Sequence, residues 1–276
     1  MCTLFVATSE ERAFACLNLD WHGNPAGTLH FRKAAGGGYG IMVTSLFGRR
    51  LPFEGMNEAG LYIGQTAVPR TKRKFSATRP YFSTSIIPRI LARCGCADEA
   101  IREIEARSVF FGSAVGLNMF HFMVADASGA SAVIEFIEDT IVIRKEGPFQ
   151  LMTNFYLSDP SIRWKNHVEG CGGYERFSIA ECMLRSMGHP TVESCAEVCR
   201  AAAMHDFHYE GKTMNTLWTG IYDLARKSAR FYLRKNYESH YDIDLQKELS
   251  LGNGRILMER SERKSRCFTP FSRTMA

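Results

Sequence analysis

The chain opens on a short apolar run, Cys2-Thr3-Leu4-Phe5-Val6-Ala7, whose β-branched and aromatic content predicts a buried strand. A polar turn at Ser9 to Arg12 separates it from a second apolar run over 13–19, which ends in Asn18-Leu19-Asp20-Trp21. The spacing predicts a β-hairpin that returns the chain to its own beginning and carries Asp20 towards Cys2. Gly23 to Gly40 reads as loop, with Gly36-Gly37-Gly38 as its softest point. Strands are expected over 41–47 and 61–66, with a tight turn over 55–61. Near residue 81 the period becomes helical, and helices are expected over 85–94 and 98–107. A loop over 112–116 leads into strands over 121–126, 131–136, 140–145 and 149–154. Helices follow over 174–187 and 191–205, the latter with Thr191 as N-cap. A last hairpin is expected over 216–223 and 229–234. Alternating blocks of strands and helices predict an α+β fold, with antiparallel sheets between helical layers. No repeat or linker interrupts it, so residues 1–245 read as one domain and 246–276 as a loosely ordered basic tail.

Composition narrows the setting. Nine cysteines, an odd number at irregular spacing, form no disulfide framework and suit a reducing, cytoplasmic compartment. No run approaches the ~18 apolar residues of a membrane span, and no basic-then-apolar secretory signal opens the chain. The net charge of +5 is concentrated in Arg70-Thr71-Lys72-Arg73-Lys74 and in the tail from Arg255 to Arg273. That is too little for a nucleic-acid partner, and solvated loop charge is the simpler reading.

The candidate chemistry starts at Cys2. Removal of Met1 would leave a thiol and a free α-amine on one residue. A thiolate is the strong nucleophile, and an α-amine titrates near ~7.7–8.0, so one residue could supply nucleophile and base. The alternative is an incidental cysteine at a strand start. Asp20 could orient the Cys2 ammonium or simply cap a turn.

Six segments line up in order. They are Met-Cys-Thr at 1–3, Asn-Leu-Asp-Trp at 18–21, Gly-Met-Asn-Glu-Ala-Gly-Leu at 55–61 and Leu-Met-Thr-Asn at 151–154. Tyr-Glu-Arg-Phe at 174–177 and Leu-Trp-Thr-Gly-Ile-Tyr-Asp at 217–223 complete the set. Over about residues 2–240 the chain resembles the choloylglycine hydrolase and penicillin V acylase family of N-terminal nucleophile hydrolases. The resemblance implies a four-layer αββα sandwich and hydrolysis of a linear, non-peptide amide through a thioester. It implies Cys2 as nucleophile, Asp20 on its amine, Asn154 in the oxyanion hole and Arg176 as support, with no metal or cofactor. The expected partner is a small acyl-amide substrate; a homo-oligomer is left open. Leu17 stands where the family often has an arginine. Ala67 stands near an expected asparagine, with Gln65 beside it.

Plainer readings stand next to these. Asn154 could end a strand in an Asx-turn, and Arg176 could snorkel over the core. Trp21, Phe155 and Gln65 are expected near a substrate pocket, and the two aromatics fit a core equally well. Cys94-Gly95-Cys96 and the Cys195/Cys199 pair have poor zinc spacing and read as ordinary thiols. His121 reads as a satisfied core histidine. The competing functions are an acyltransferase using the same thioester, a silent binding member of the fold, and a nucleic-acid binder using the 70–74 run.

Overall fold

The computed structural model describes residues 1–23, 25–48, 51–71, 81–82, 86–109, 119–162, 173–209 and 211–258. Two antiparallel sheets form its centre. The seven-stranded sheet runs β12 (Phe149–Met152), β1 (Cys2–Thr8), β2 (Ala13–His22), β14 (Lys212–Asp223), β15 (Ser228–Leu233), β16 (Tyr241–Asp244), with β13 (Phe207–Tyr209) paired to β14. The eight-stranded sheet runs β11 (Thr140–Arg144), β10 (Ser131–Phe136), β9 (Met119–Ala125), β6 (Tyr62–Val68), β5 (Leu51–Asn57), β4 (Ile41–Leu46), β3 (Gly27–Arg32), β17 (Gly254–Met258). A short parallel pair, β7 (Tyr81–Phe82) and β8 (Ser108–Val109), lies apart. Helices α3 (Tyr174–Ser186) and α4 (Val192–Ala201) cover the outer face of the first sheet through Phe5, Phe14, Cys16 and Leu151. Helices α1 (Ile86–Arg93) and α2 (Ala97–Glu105) cover the second sheet over β4–β6 and β9–β10. The result is the expected four-layer αββα sandwich.

Each sheet lies between a helical layer and the other sheet, so its central strands are buried on both faces. This explains why β1 reads as a continuous apolar run rather than an alternating one. Leu4 and Val6 enter the core between the sheets, while Phe5 and Ala7 meet the helices. Each such side chain taken from water contributes roughly 1.5–3 kcal/mol. Thr191 caps α4 as expected, accepting from the Ser194 amide.

Three elements differ from the sequence reading. The 23–40 segment contains β3, whose Leu29 and Phe31 are buried. The 55–61 turn is tighter than expected, because β5 continues to Asn57. Pro52 and the buried Glu54 disguise that strand. Pro52 is tolerated where the β4–β5 register shifts, as prolines in sheets generally sit at edges or irregularities. The third difference lies beyond residue 245. There α5 (Leu245–Ser250) and β17 follow, and β17 pairs with β3 as an edge strand of the second sheet. The expected boundary at 245/246 therefore falls at the start of a helix, and the sandwich extends to Met258. Lys72–Lys74, the 112–116 loop and residues 259–276 lie outside the described residues.

The 55–61 signature locks the fold. Asn57 donates to Leu91 O at 2.8 Å and Cys94 O at 2.7 Å, satisfying carbonyls at the end of α1. Its Oδ1 accepts from the Ala59 and Leu61 amides. Gly60 takes φ +87°, and a Cβ there would lie 2.5 Å from Leu224 O, so only glycine fits.

Candidate active site

Cys2 is the first residue of β1, an interior strand of the seven-stranded sheet, and lies opposite Leu19 of β2. Alternation sends its side chain into the space between the sheets, beside Leu4, Leu17 and Leu19. Its backbone N–H donates to Asn154 Oδ1 at 2.9 Å. Asn154 follows β12, the other neighbour of β1, so the pairing of β1 with β12 brings it there. The Asn154 amide donates through Nδ2 to Ala67 O at 2.8 Å.

Arg176 arrives from the first turn of α3, on the far side of the same sheet. Its Nη1 donates to Cys2 O and to Thr3 Oγ1, each at 2.8 Å, and its Nη2 donates to Asn154 Oδ1 at 2.8 Å. A planar guanidinium can serve three fixed acceptors in this way; an ammonium could not reproduce the fork. Gly173 makes the approach feasible. It sits at φ +73°, and a Cβ there would fall 2.7 Å from Arg176 Nη2 and 3.0 Å from Thr153 Cβ.

Asp20 pairs with Thr216 across β2 and β14 and is fully buried. Its Oδ1 accepts from Thr216 Oγ1 at 2.6 Å. Its Oδ2 lies 3.2 Å from Arg176 Nη1 but accepts no hydrogen bond. A register shift in β14 between Thr216 and Trp218, next to the site, re-aims Thr216 at the carboxylate. Met1 pairs with Asp20 through the backbone in both directions, at 2.9 Å each.

The electrostatics oppose a preformed thiolate. Burial pushes the Cys2 thiol above its ordinary range; the N-terminal ammonium and Arg176 work against burial, and Asp20 adds to it. Burial likewise raises the Asp20 carboxyl, against the pull of Arg176 and the N-terminal ammonium. Leu17 offers no charge. It lies opposite Leu4, two pairs along from Cys2, on the same face of the sheet.

The structure thus brings Cys2, Asp20, Asn154 and Arg176 to one locus. The other three expected residues are spread around it. Trp21 follows Leu19 on the Cys2 face and packs edge-on against Phe53 at 5.9 Å and Phe47 at 6.1 Å. Phe155 stacks on Tyr174 of α3 at 4.3 Å and meets Phe177 edge-on. Gln65 alternates with Thr66 onto the opposite face of its sheet and donates to Pro52 O at 2.7 Å. Thr3, Gly173 and Thr216 were missed by sequence reasoning. Only the tertiary pairing of α3 and β14 with β1 and β2 gives them a role, and no local signal carries it. Among the described residues no group of three or more His, Cys, Asp or Glu is placed to hold a metal. No helix there is long and apolar enough to cross a membrane.

A sequence model of the acyl-coenzyme A:6-aminopenicillanic acid acyl-transferase family matches residues 7–238. The chain belongs to this family. The match begins just after Cys2 and includes Asp20, Asn154 and Arg176. A penicillin V acylase from Pectobacterium atrosepticum is 26% identical over 150 residues, 49% of this chain; the match spans only 39% of that relative. A mutant conjugated bile acid hydrolase from Clostridium perfringens superposes with a TM-score of 0.73 at 16% identity, covering 97% of this chain and 99% of its own. Penicillin V acylase from Agrobacterium tumefaciens gives 0.70 at 18% identity, covering 93% and 90%. The resemblance to choloylglycine hydrolases and penicillin V acylases is borne out by these relatives, and so is the N-terminal nucleophile hydrolase fold.

Proposed function

We propose that this family member is an amidohydrolase that cleaves a linear, non-peptide amide C–N bond through a thioester on Cys2. The observation that carries the proposal is the spare oxygen of Asp20. A buried carboxylate oxygen without a hydrogen bond is costly, and such groups call for a functional explanation. Arg176 Nη1 touches both Cys2 O and this oxygen, so the carboxylate lies beside the Cys2 main chain. Removal of Met1 turns the Cys2 amide into an amine, with new N–H donors for the unspent Oδ2.

The chemistry then follows from the side chains. Burial raises the Cys2 thiol, which calls for a base, and the freed amine takes its proton as sulfur attacks the carbonyl carbon. The C–S bond forms, and the carbonyl oxygen becomes an oxyanion. Asn154 Nδ2 donates to Ala67 O, which holds the amide plane, and the same amide group is the proposed oxyanion donor. The ammonium returns the proton to the leaving nitrogen as the C–N bond breaks. Water cleaves the thioester by the reverse proton route.

Hydrolysed amides of the kind named in the relatives, penicillin V or a conjugated bile acid, are the natural first substrates. The aromatic group of Trp21, Phe47 and Phe53 on the Cys2 face favours a bulky apolar acyl part. A cytoplasmic location belongs to the same proposal and is supported by described cysteines that are all free thiols. A second reading, an acyltransferase in which an amine replaces water, is favoured by the name of the matching family. Turnover in the presence of hydroxylamine separates the two. Hydrolysis predicts mainly free acid at low hydroxylamine, whereas predominant acyl hydroxamate under those conditions supports transfer. Absence of turnover and of any acylated Cys2 overturns both.

A further inference from the structure

The buried pair His121 and Glu135 lies outside the chemistry just described. His121 is on β9 and Glu135 on β10; the register that sets Ile134 opposite Phe122 brings the two together. Both are completely buried. His121 Nδ1 is 3.3 Å from Glu135 Oε1, and its Nε2 is 3.0 Å from Thr153 O and within hydrogen-bonding distance of Thr66 Oγ1. Thr66 also donates to Thr153 O. Glu135 reaches the other side of the same turn. Its Oε1 accepts from the Leu157 amide at 2.6 Å, and its Oε2 accepts from the Ser158 amide at 3.0 Å and from the Ser158 hydroxyl.

Donor and acceptor capacities constrain this network. A backbone carbonyl and a carboxylate can only accept. Burial alone would raise the Glu135 carboxyl, but the hydrogen bonds and charge of His121, with Ser158 and Leu157, outweigh it and hold the group ionised. The ring nitrogens bridge that carboxylate to Thr153 O and Thr66 Oγ1. The aromatic neighbour Tyr156, 6.3 Å away and edge-on, spends its own hydroxyl on Pro69 O.

We propose that His121 is a positioning residue: paired with Glu135, it clamps the 153–158 turn from the second sheet and thereby aims Asn154 at Cys2. The clamp grips Thr153 immediately before Asn154, and Leu157 and Ser158 three and four residues after it. On the other side, Cys2 of the seven-stranded sheet and Arg176 of α3 hold the Asn154 side chain. The inference rests on the proposed role of Asn154 as oxyanion donor. It adds that the eight-stranded sheet tunes this donor through a buried histidine–glutamate pair touching neither substrate nor Cys2.

The test uses full-length protein freed of Met1, with penicillin V as probe and nitrogen-15 NMR as a readout independent of turnover. His121→Phe fills the ring space without donors, and His121→Gln keeps a donor towards Thr153. For His121→Phe, kcat is expected to fall by about 10- to 100-fold with KM nearly unchanged, the scale of a misplaced reacting group. His121→Gln should recover part of that loss, and the Asn154 side-chain amide resonances should shift in the Phe variant. An unmoved Asn154 amide in folded His121→Phe overturns the proposal. Equal losses in the Phe and Gln variants, or a rise in KM alone, would also overturn it. If the wild type neither turns over nor acylates on Cys2, the proposed function fails, while the Asn154 signals still decide the clamp.

Discussion

Glu54 offers a sharp test of how the space between the sheets is organised. Its side chain is completely buried on β5, accepting from Tyr62 Oη at 3.0 Å and from Trp218 Nε1 at 3.2 Å. A Cβ on Gly220 would lie 2.8 Å from its Oε1, and Gly220 pairs with Leu17. Burial pushes the carboxyl from 4.5 up to about 8, and the neutral donors around it only partly oppose this. The folded protein therefore keeps a proton that the unfolded chain releases above about 4.5. Its stability contribution is complete below that pH, and is lost as pH rises until the folded group ionises near 8. The slope approaches about 1.4 kcal/mol per pH unit, so the change between pH 5 and pH 8 is on the order of 4 kcal/mol. Glu54→Gln mimics the protonated acid at every pH and should lack this slope. Urea unfolding of both proteins at pH 5, 6, 7 and 8 measures it. The stability advantage of the variant over wild type should grow steadily across that range. Parallel stability profiles would refute the reasoning, because Glu54 would then be titrating as it does in the unfolded chain.

Two further outcomes are expected at the site. Asn154→Ala should lower turnover by roughly two to three orders of magnitude, the usual cost of one oxyanion donor, and steady-state kinetics on the folded variant checks it. Leu17→Arg places a cation on the face shared with Cys2 and should move the pH dependence of Cys2 alkylation, read by peptide mass spectrometry, to lower pH. The same arginine can reach towards Glu54 through Gly220. An unmoved curve combined with loss of the wild-type Glu54 stability slope would show that it pairs there instead.

Much of the site was legible because its parts lie on strongly patterned segments. The first hairpin could be read from two apolar runs and a polar turn, and it placed Asp20 at the right end. Helix α3 and the Asn154 strand end were also legible, but not their meeting at Cys2. That meeting depends on β12 pairing with β1, a contact between residues about 150 positions apart. β5 stayed hidden because Pro52 and Glu54 break an apolar pattern, and Glu54 is buried only because a second sheet covers it. β17 is an edge strand whose pairing with β3 spans most of the chain, so nothing local announces it. Gln65 and Thr66 show the limit at single-residue scale. Only the pleat decides which of two neighbours faces the site, and it turns Thr66 inward to Thr153. His121 was legible as a satisfied core histidine; its link to Asn154 required both sheets.

The central claim is that Cys2, freed of Met1, carries the acyl group. Intact and peptide mass spectrometry of enzyme quenched with acid during turnover of penicillin V or a conjugated bile acid tests it directly. The predicted result is a protein lighter by one methionine, with a fraction heavier by the acyl group, placed on Cys2 and released by hydroxylamine. Full turnover by protein that retains Met1, or an acyl group placed on any residue other than Cys2, would contradict it.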